Sequence, residues 1–257
     1  MIMENKIKYL VENKLIVYPK RGTLQENYFS IEYLLTPMQI NSLGDIHDEW
    51  ISYNIKLIDI FNSLDCSLEK STDFLRRCSC RYDGLQVSIN ADIGDIKIDN
   101  KTAQQTQWTT ISSLLQADYK GFFVDEFLTK INNIMNEAEI YHIPTSKYFY
   151  LGLLFLGIPN KTSVGWSKRR RMMLSDFDDV VFVEKLNHEQ DMDDKRCFSI
   201  VGENINESTN CRIDKYYGRA QVPMNSFFPD WVQLEIDYTK EDINVYWKYE
   251  LTKQAEQ

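Results

Sequence analysis

The sequence predicts an α+β fold, with a helix-rich N-terminal part that encloses a small β-hairpin and a mostly antiparallel, β-rich C-terminal part. Three observations carry this. Apolar residues recur at three- and four-residue spacings in the stretches 45–63 and 121–135. From residue 180 onward apolar and polar residues alternate instead, which is the period of a half-buried strand. Between them lies the most apolar run of the chain, Tyr148 to Ile158. A boundary near residue 160 gives a helix-rich subdomain over 1–160 and a β-rich subdomain over 161–257, which either share one core or stand apart.

Residues 3–14 read as a short helix, Leu15 to Tyr18 as a strand stopped by Pro19, and Lys20-Arg21-Gly22 as a turn. Tyr28 to Leu35 is rich in aromatic and branched residues and reads as a strand. Thr36-Pro37 then offers a helix N-cap with proline at the first helical position. Ile46, Trp50, Ile51, Ile55, Ile58 and Phe61 give the helix over 45–63, and Ser71 caps a shorter one ending in Arg76 and Arg77.

After Asp83-Gly84 the period changes to two: Leu85, Val87 and Ile89, then Ile96 and Ile98 beyond Gly94, form a hairpin. Trp108 to Leu115 begins another helix. Phe122, Phe123, Phe127, Ile131, Ile134 and Met135 form the stripe of the next. The eleven-residue run Tyr148 to Ile158 ends at Pro159, whereas a membrane span needs roughly 20 such residues, so it reads as the interior of a soluble body. Strands follow at Val180 to Glu184, Cys197 to Val201 and Tyr216 to Val222. A final hairpin is formed by Val232, Leu234, Ile236 and Tyr238 with Ile243, Val245, Trp247, Tyr249 and Leu251.

A net charge of -9 over 257 residues argues against coating by nucleic acid or an anionic membrane surface, both of which need basic excess. The first 22 residues lack an uninterrupted apolar stretch of the kind an export signal carries. With five scattered cysteines, Cys66, Cys78, Cys80, Cys197 and Cys211, this places the protein in the cytoplasm with reduced thiols. No second close pair completes a zinc set around Cys78 and Cys80 with His47, His142 or His188, so no metal is expected there.

Two groups could carry chemistry. Asp83 is followed by Asp95-Ile96-Lys97, an acid and then an acid-x-Lys triplet on the next strand. Restriction-type nucleases use this pattern to converge two carboxylates on Mg²⁺ while the lysine orients the attacking water. Trp166 with Lys168, Arg169, Arg170 and Arg171 suits phosphate or acidic side chains, unless the run is neutralised by Asp176, Asp178 and Asp179 just downstream. Asp45, His47, Asp48 and Glu49 are crowded, but acids are ordinary at a helix start. Glycine-rich phosphate loops and nucleophile elbows are absent from the sequence.

The sequence therefore points first to a cytosolic, non-catalytic interaction protein without cofactor, such as an immunity, antitoxin-like or regulatory subunit whose acidic surface meets a protein partner. The alternative is a Mg²⁺-dependent nuclease acting through Asp83, Asp95 and Lys97, with Lys168 to Arg171 on the phosphate backbone.

Overall fold

A computed structural model describes residues 6–42, 49–62, 69–136, 151–173, 181–204, 211–240 and 243–255. Eleven antiparallel strands form one sheet in the order β5-β4-β3-β2-β1-β11-β10-β9-β8-β7-β6. In the first half they are β1 (Ile7–Tyr18), β2 (Gln25–Ser42), β3 (Glu49–Asn62), β4 (Leu85–Asn90) and β5 (Asp95–Ile98). In the second they are β6 (Ser167–Met173), β7 (Val181–Met192), β8 (Lys195–Asn204), β9 (Cys211–Pro223), β10 (Trp231–Lys240) and β11 (Ile243–Lys253). Within each half consecutive strands pair, and β1 pairs with β11, from Tyr9 opposite Lys253 to Tyr18 opposite Asn244. One core cluster collects residues from both halves.

The helix-rich N-terminal part is corrected by this sheet. Residues 45–63 and 3–14, expected as helices, supply β3 and β1, and Thr36-Pro37 lies inside β2 rather than at a helix start. The physical reason is that a stride of four residues is one helical turn and also two pleats. Ile51 and Ile55 fit both, but Tyr53 and Leu57 between them complete a period of two, and branched isoleucines favour the extended chain. Ile58 fitted the helical stripe because β3 bulges there: Glu32 faces Asp59 while Tyr33 faces Leu57, which leaves Ile58 exposed. Pro37 sits at a second irregularity of the same ladder, where a missing N–H is tolerated.

Other expectations stand. The hairpin Leu85–Ile98 is β4 and β5, with Val87 facing Ile98 and Ile89 facing Ile96. The helices α1 (Glu69–Ser79), α2 (Lys101–Asp118) and α3 (Phe122–Asn136) cover the stretches expected to be helical, although Ser71 lies inside α1 rather than capping it and α2 begins seven residues before Trp108. Their buried residues Phe74, Trp108, Leu115, Phe127, Leu128, Ile131 and Met135 join the sheet's core. Phe74 meets Tyr119 and Phe127 edge-on, and Trp108 donates its indole N–H to Asn132 at 2.7 Å. Among the described residues, no helix is long and apolar enough to cross a membrane.

The apolar run is interior from Leu151 onward, Tyr148 to Tyr150 lying outside the described residues. Its described part begins with a single helical turn, α4 (Leu151–Leu154), and every residue from Leu151 to Ile158 is buried. This segment also draws the edges of the sheet together. Gly94, in the turn before β5, lies so close to Gly157 that a Cβ on it would fall 2.5 Å from the Gly157 carbonyl oxygen. Asn160 donates its N–H to Ala91 on that side, while Lys168 of β6 reaches across to the carbonyls of Gly94 and Gly157. The sheet is therefore coiled around the segment that bridges its two ends.

Candidate functional site

Strand alternation sorts the basic run of β6. Lys168 and Arg170 turn toward the interior, while Arg169 faces outward. Lys168 donates to Gly94 O at 3.2 Å and to Gly157 O at 2.9 Å. Arg170 donates to Phe155 O at 2.8 Å and Gly152 O at 2.9 Å, and its Nε lies 2.5 Å from Glu184 Oε2 on β7. That pair is desolvated, with side chains 8% and 0% exposed, and Tyr216 donates its hydroxyl to the other Glu184 oxygen at 3.0 Å. Arg196 of β8, also buried, donates to Pro159 O, Thr162 Oγ1, Pro223 O and Ser226 O.

Three cations thus hold the carbonyls of an apolar segment that has few ladder partners of its own, satisfying main-chain groups that burial would otherwise penalise. Burial pushes the Lys168 ammonium down, with Arg170 beside it adding to the effect, and pushes Arg196 down likewise. Burial, reinforced by Glu184, holds the Tyr216 phenol well above its usual range.

The acidic residues proposed to neutralise the basic run, Asp176, Asp178 and Asp179, lie outside the described residues, as does the side chain of Arg171. Trp166 packs edge-on against Phe198 at 6.0 Å. The predicted phosphate or acidic-partner patch is therefore divided: Lys168 and Arg170 are committed to the interior, and Arg169 remains outside, directly opposite Lys185.

The nuclease triad does not assemble. Asp95 and Lys97 share one face of β5, as alternation requires, but Asp83 precedes the opposite end of β4. Asn90, which faces Asp95, is five residues from Leu85, about 17 Å along a strand. The Asp83 carboxylate accepts the Leu57 N–H at 2.9 Å, and the Lys97 ammonium sits 3.8 Å from the centre of the Trp50 ring. Two carboxylates that far apart cannot share one Mg²⁺ with ligand bonds of about 2.1 Å. No group of three or more His, Cys, Asp or Glu residues able to hold a metal occurs among the described residues.

His188 is buried, stacked on Phe198 at 4.8 Å with its Nε2 2.8 Å from Asp191 Oδ1. His47 and His142, the cluster Asp45-His47-Asp48, and Cys66 lie outside the described residues. Glu184, Arg196 and Tyr216 were not singled out from the sequence. The signal was there in Phe182-x-Glu184-x-Leu186, which places one charge on an otherwise apolar face.

Burial pushes the Cys78 thiol from 9.0 up to about 12, and burial with a hydrogen bond to Glu12 pushes the Tyr28 phenol from 10.0 to about 12. Tyr33 and Tyr216 move the same way. A folded-state pKa above the unfolded one stabilises fully below the unfolded value and is lost as pH rises through the folded value. The urea midpoint is expected to hold to about pH 9 and to fall steadily toward about pH 12. An unchanged midpoint across that window would refute the assignment.

Two surface features stand out. On α3, Phe122 is 83% and Phe123 62% exposed, with Leu114 of α2 53% exposed. Only the later part of the expected helical stripe is buried, namely Phe127, Ile131 and Met135. Elsewhere β8 and β9 pair from Lys195 opposite Pro223 to Val201 opposite Tyr217. Beyond the end of this ladder a shallow groove of about 630 Å³ is lined by Val201, Gly202, Glu203, Arg212, Ile213, Asp214, Lys215 and Tyr216.

No protein family matches this chain, and no curated protein does. Among solved structures, it is similar to DynF from the dynemicin biosynthesis pathway of Micromonospora chersina, with 5% identity, a TM-score of 0.25, and coverage of 97% of this chain and 82% of that one. It is also similar to Ail, the attachment invasion locus protein of Yersinia pestis, with 5% identity, a TM-score of 0.16 and coverage of 96% of each chain. Likenesses this distant carry no argument about fold or activity.

Proposed function

We propose that this chain is a non-catalytic cytoplasmic interaction protein that takes a protein partner on the surface around the start of α3. The observation that carries the reading is the adjacent pair Phe122 and Phe123, 83% and 62% exposed. Burying a phenylalanine contributes roughly 1.5–3 kcal/mol, so two left in water at one spot favour an occupant. Asp125 and Glu126 beside them are exposed, which gives an aromatic anchor with an acidic rim. The matching partner offers an apolar pocket edged by lysine or arginine. The thiols of Cys78, Cys80 and Cys197 are free, which supports a reducing compartment.

The test compares the protein with its Phe122→Ser, Phe123→Ser double variant as immobilised bait, followed by binding titration of the stoichiometric partner. Both phenylalanines are largely in solvent, so the variant is expected to keep its melting temperature and to bind at least about tenfold more weakly. Equal affinity would sink the proposal. So would cleavage of DNA or RNA in Mg²⁺ that Asp95→Ala abolishes.

A further inference from the structure

We infer that the partner of the α3 surface is a second copy of this chain, which presents the outer face of β6 to β9; this rests on Phe122 and Phe123 being the anchor for a protein partner. Such an anchor with an acidic rim fits an apolar centre edged by lysine or arginine, and the sheet carries one. Strand alternation turns Lys168, Arg170, Glu184, Ile200 and Tyr216 inward, so the residues between them face outward. One outward row crosses four strands: Arg169 lies opposite Lys185, Lys185 opposite Val201, and Val201 opposite Tyr217. Val201 and Tyr217, 40% and 37% exposed, are the apolar centre. Arg169 and Lys185 border it on one side. Arg219, two residues along β9 from Tyr217, borders it on the other and donates its Nε–H to the Tyr217 hydroxyl at 2.7 Å.

The chain has a net charge of -9, yet Arg169 and Lys185 have no carboxylate partner among the described residues. Glu235, opposite Tyr217, is already held by Lys215. Glu189 and Glu203 flank the group without forming an ion pair to it among the described residues. These cations are therefore open to acids from outside.

The start of α3 supplies the matching half. Asp125 follows Phe122 by three residues and Glu126 by four, so both carboxylates lie on the helix face that carries the ring. Glu126 holds only an exposed pair with Lys130, of the kind that is readily exchanged. Two phenyl rings with two carboxylates a turn behind them thus meet an apolar pair with cations on either side. Opposite charges fix the register, while the aromatic and arginine side chains carry most of the binding energy. Because the two patches differ, the contact is heterologous. Each copy offers its helix to one neighbour and its sheet to another, and association runs on into a ring or filament.

The test uses two variants of the full chain, one spoiled on the helix (Phe122→Ser, Phe123→Ser) and one on the sheet (Lys185→Glu, Arg219→Glu). None of the four side chains is buried, so both variants are expected to keep their melting temperature. Sedimentation velocity is run at about 0.15 M salt, where a Debye length of about 8 Å screens the overall repulsion between like-charged copies. The unaltered chain is expected to associate, with a Kd per contact at or below about 100 μM. Each variant alone is expected to associate at least about tenfold more weakly. Their equimolar mixture is expected to form a dimer that grows no further, because one intact helix meets one intact sheet face and both remaining surfaces are spoiled. An unaltered chain that stays monomeric at about 200 μM, a variant that associates as the unaltered chain does, or a mixture that stays monomeric would each overturn the inference. A monomeric chain whose phenylalanine variant still loses a foreign partner removes only the second copy as occupant, whereas phenylalanines whose loss changes no binding remove the α3 surface with it.

Discussion

Replacing Glu184 by alanine is expected to destabilise the protein by about 3–5 kcal/mol, read as a fall in urea midpoint at unchanged slope. The magnitude comes from what is left behind. Arg170 stays buried among Phe155, Gly152 and the Tyr216 hydroxyl with no countercharge, and an unpaired interior cation costs far more than an exposed one. Surface pairs of the same chain, such as Lys8 with Glu32, are partly solvated, and breaking them is expected to cost no more than about 1 kcal/mol. The double replacement Arg170→Met with Glu184→Leu should recover part of the loss, because it removes both charges together. Recovery stays incomplete, since the carbonyls of Phe155 and Gly152 then lose their donor. A Glu184→Ala effect below about 1 kcal/mol would show that the pair is solvated and the clamp wrongly drawn.

The second large effect is expected at Gly94. Gly84 and Gly94 both hold positive φ, +75° and +70°, so alanine at either carries the left-handed penalty of about 1–2 kcal/mol. They differ in their surroundings. Nothing lies within 4 Å of a Cβ at Gly84, whereas at Gly94 it would meet the carbonyl oxygen of Gly157 at 2.5 Å and main-chain atoms of Gly157 and Pro159 at 3.0 Å. Main chain at that range cannot swing aside as a side chain would. Gly94→Ala is therefore expected to cost at least about 2 kcal/mol more than Gly84→Ala in the same denaturation assay. Equal costs for the two would mean that the sheet edges do not meet at this turn.

How much of this was legible depends on which residues carry it. The hairpin of β4 and β5, the terminal hairpin of β10 and β11, and the interior fate of Leu151 to Ile158 were readable because alternation or solid apolarity allows one interpretation. The strand β3 was misread because Ile51 and Ile55, four apart, satisfy two periods, and a bulge at Ile58 extended the false one; Ile7 and Val11 of β1 are four apart in the same way. No local pattern announces that β1 pairs with β11, since the partners are more than 200 positions apart. The candidate sites were less visible still. Asp83 and Asp95 look adjacent in sequence, but the length of β4 separates them. In Lys168 to Arg171 a continuous charge run hides two faces, which only the strand assignment divides.

The pairing of β1 with β11 has a further consequence for how the chain reaches this shape. Every other ladder joins strands that follow one another, so each half can zip locally as soon as it is made. β1 acquires its second neighbour only after the last strand exists, and closing so long a loop is entropically costly and slow. Until then one flank of β1 stays open to any passing strand, so the step that completes the sheet is also the one most exposed to aggregation during synthesis.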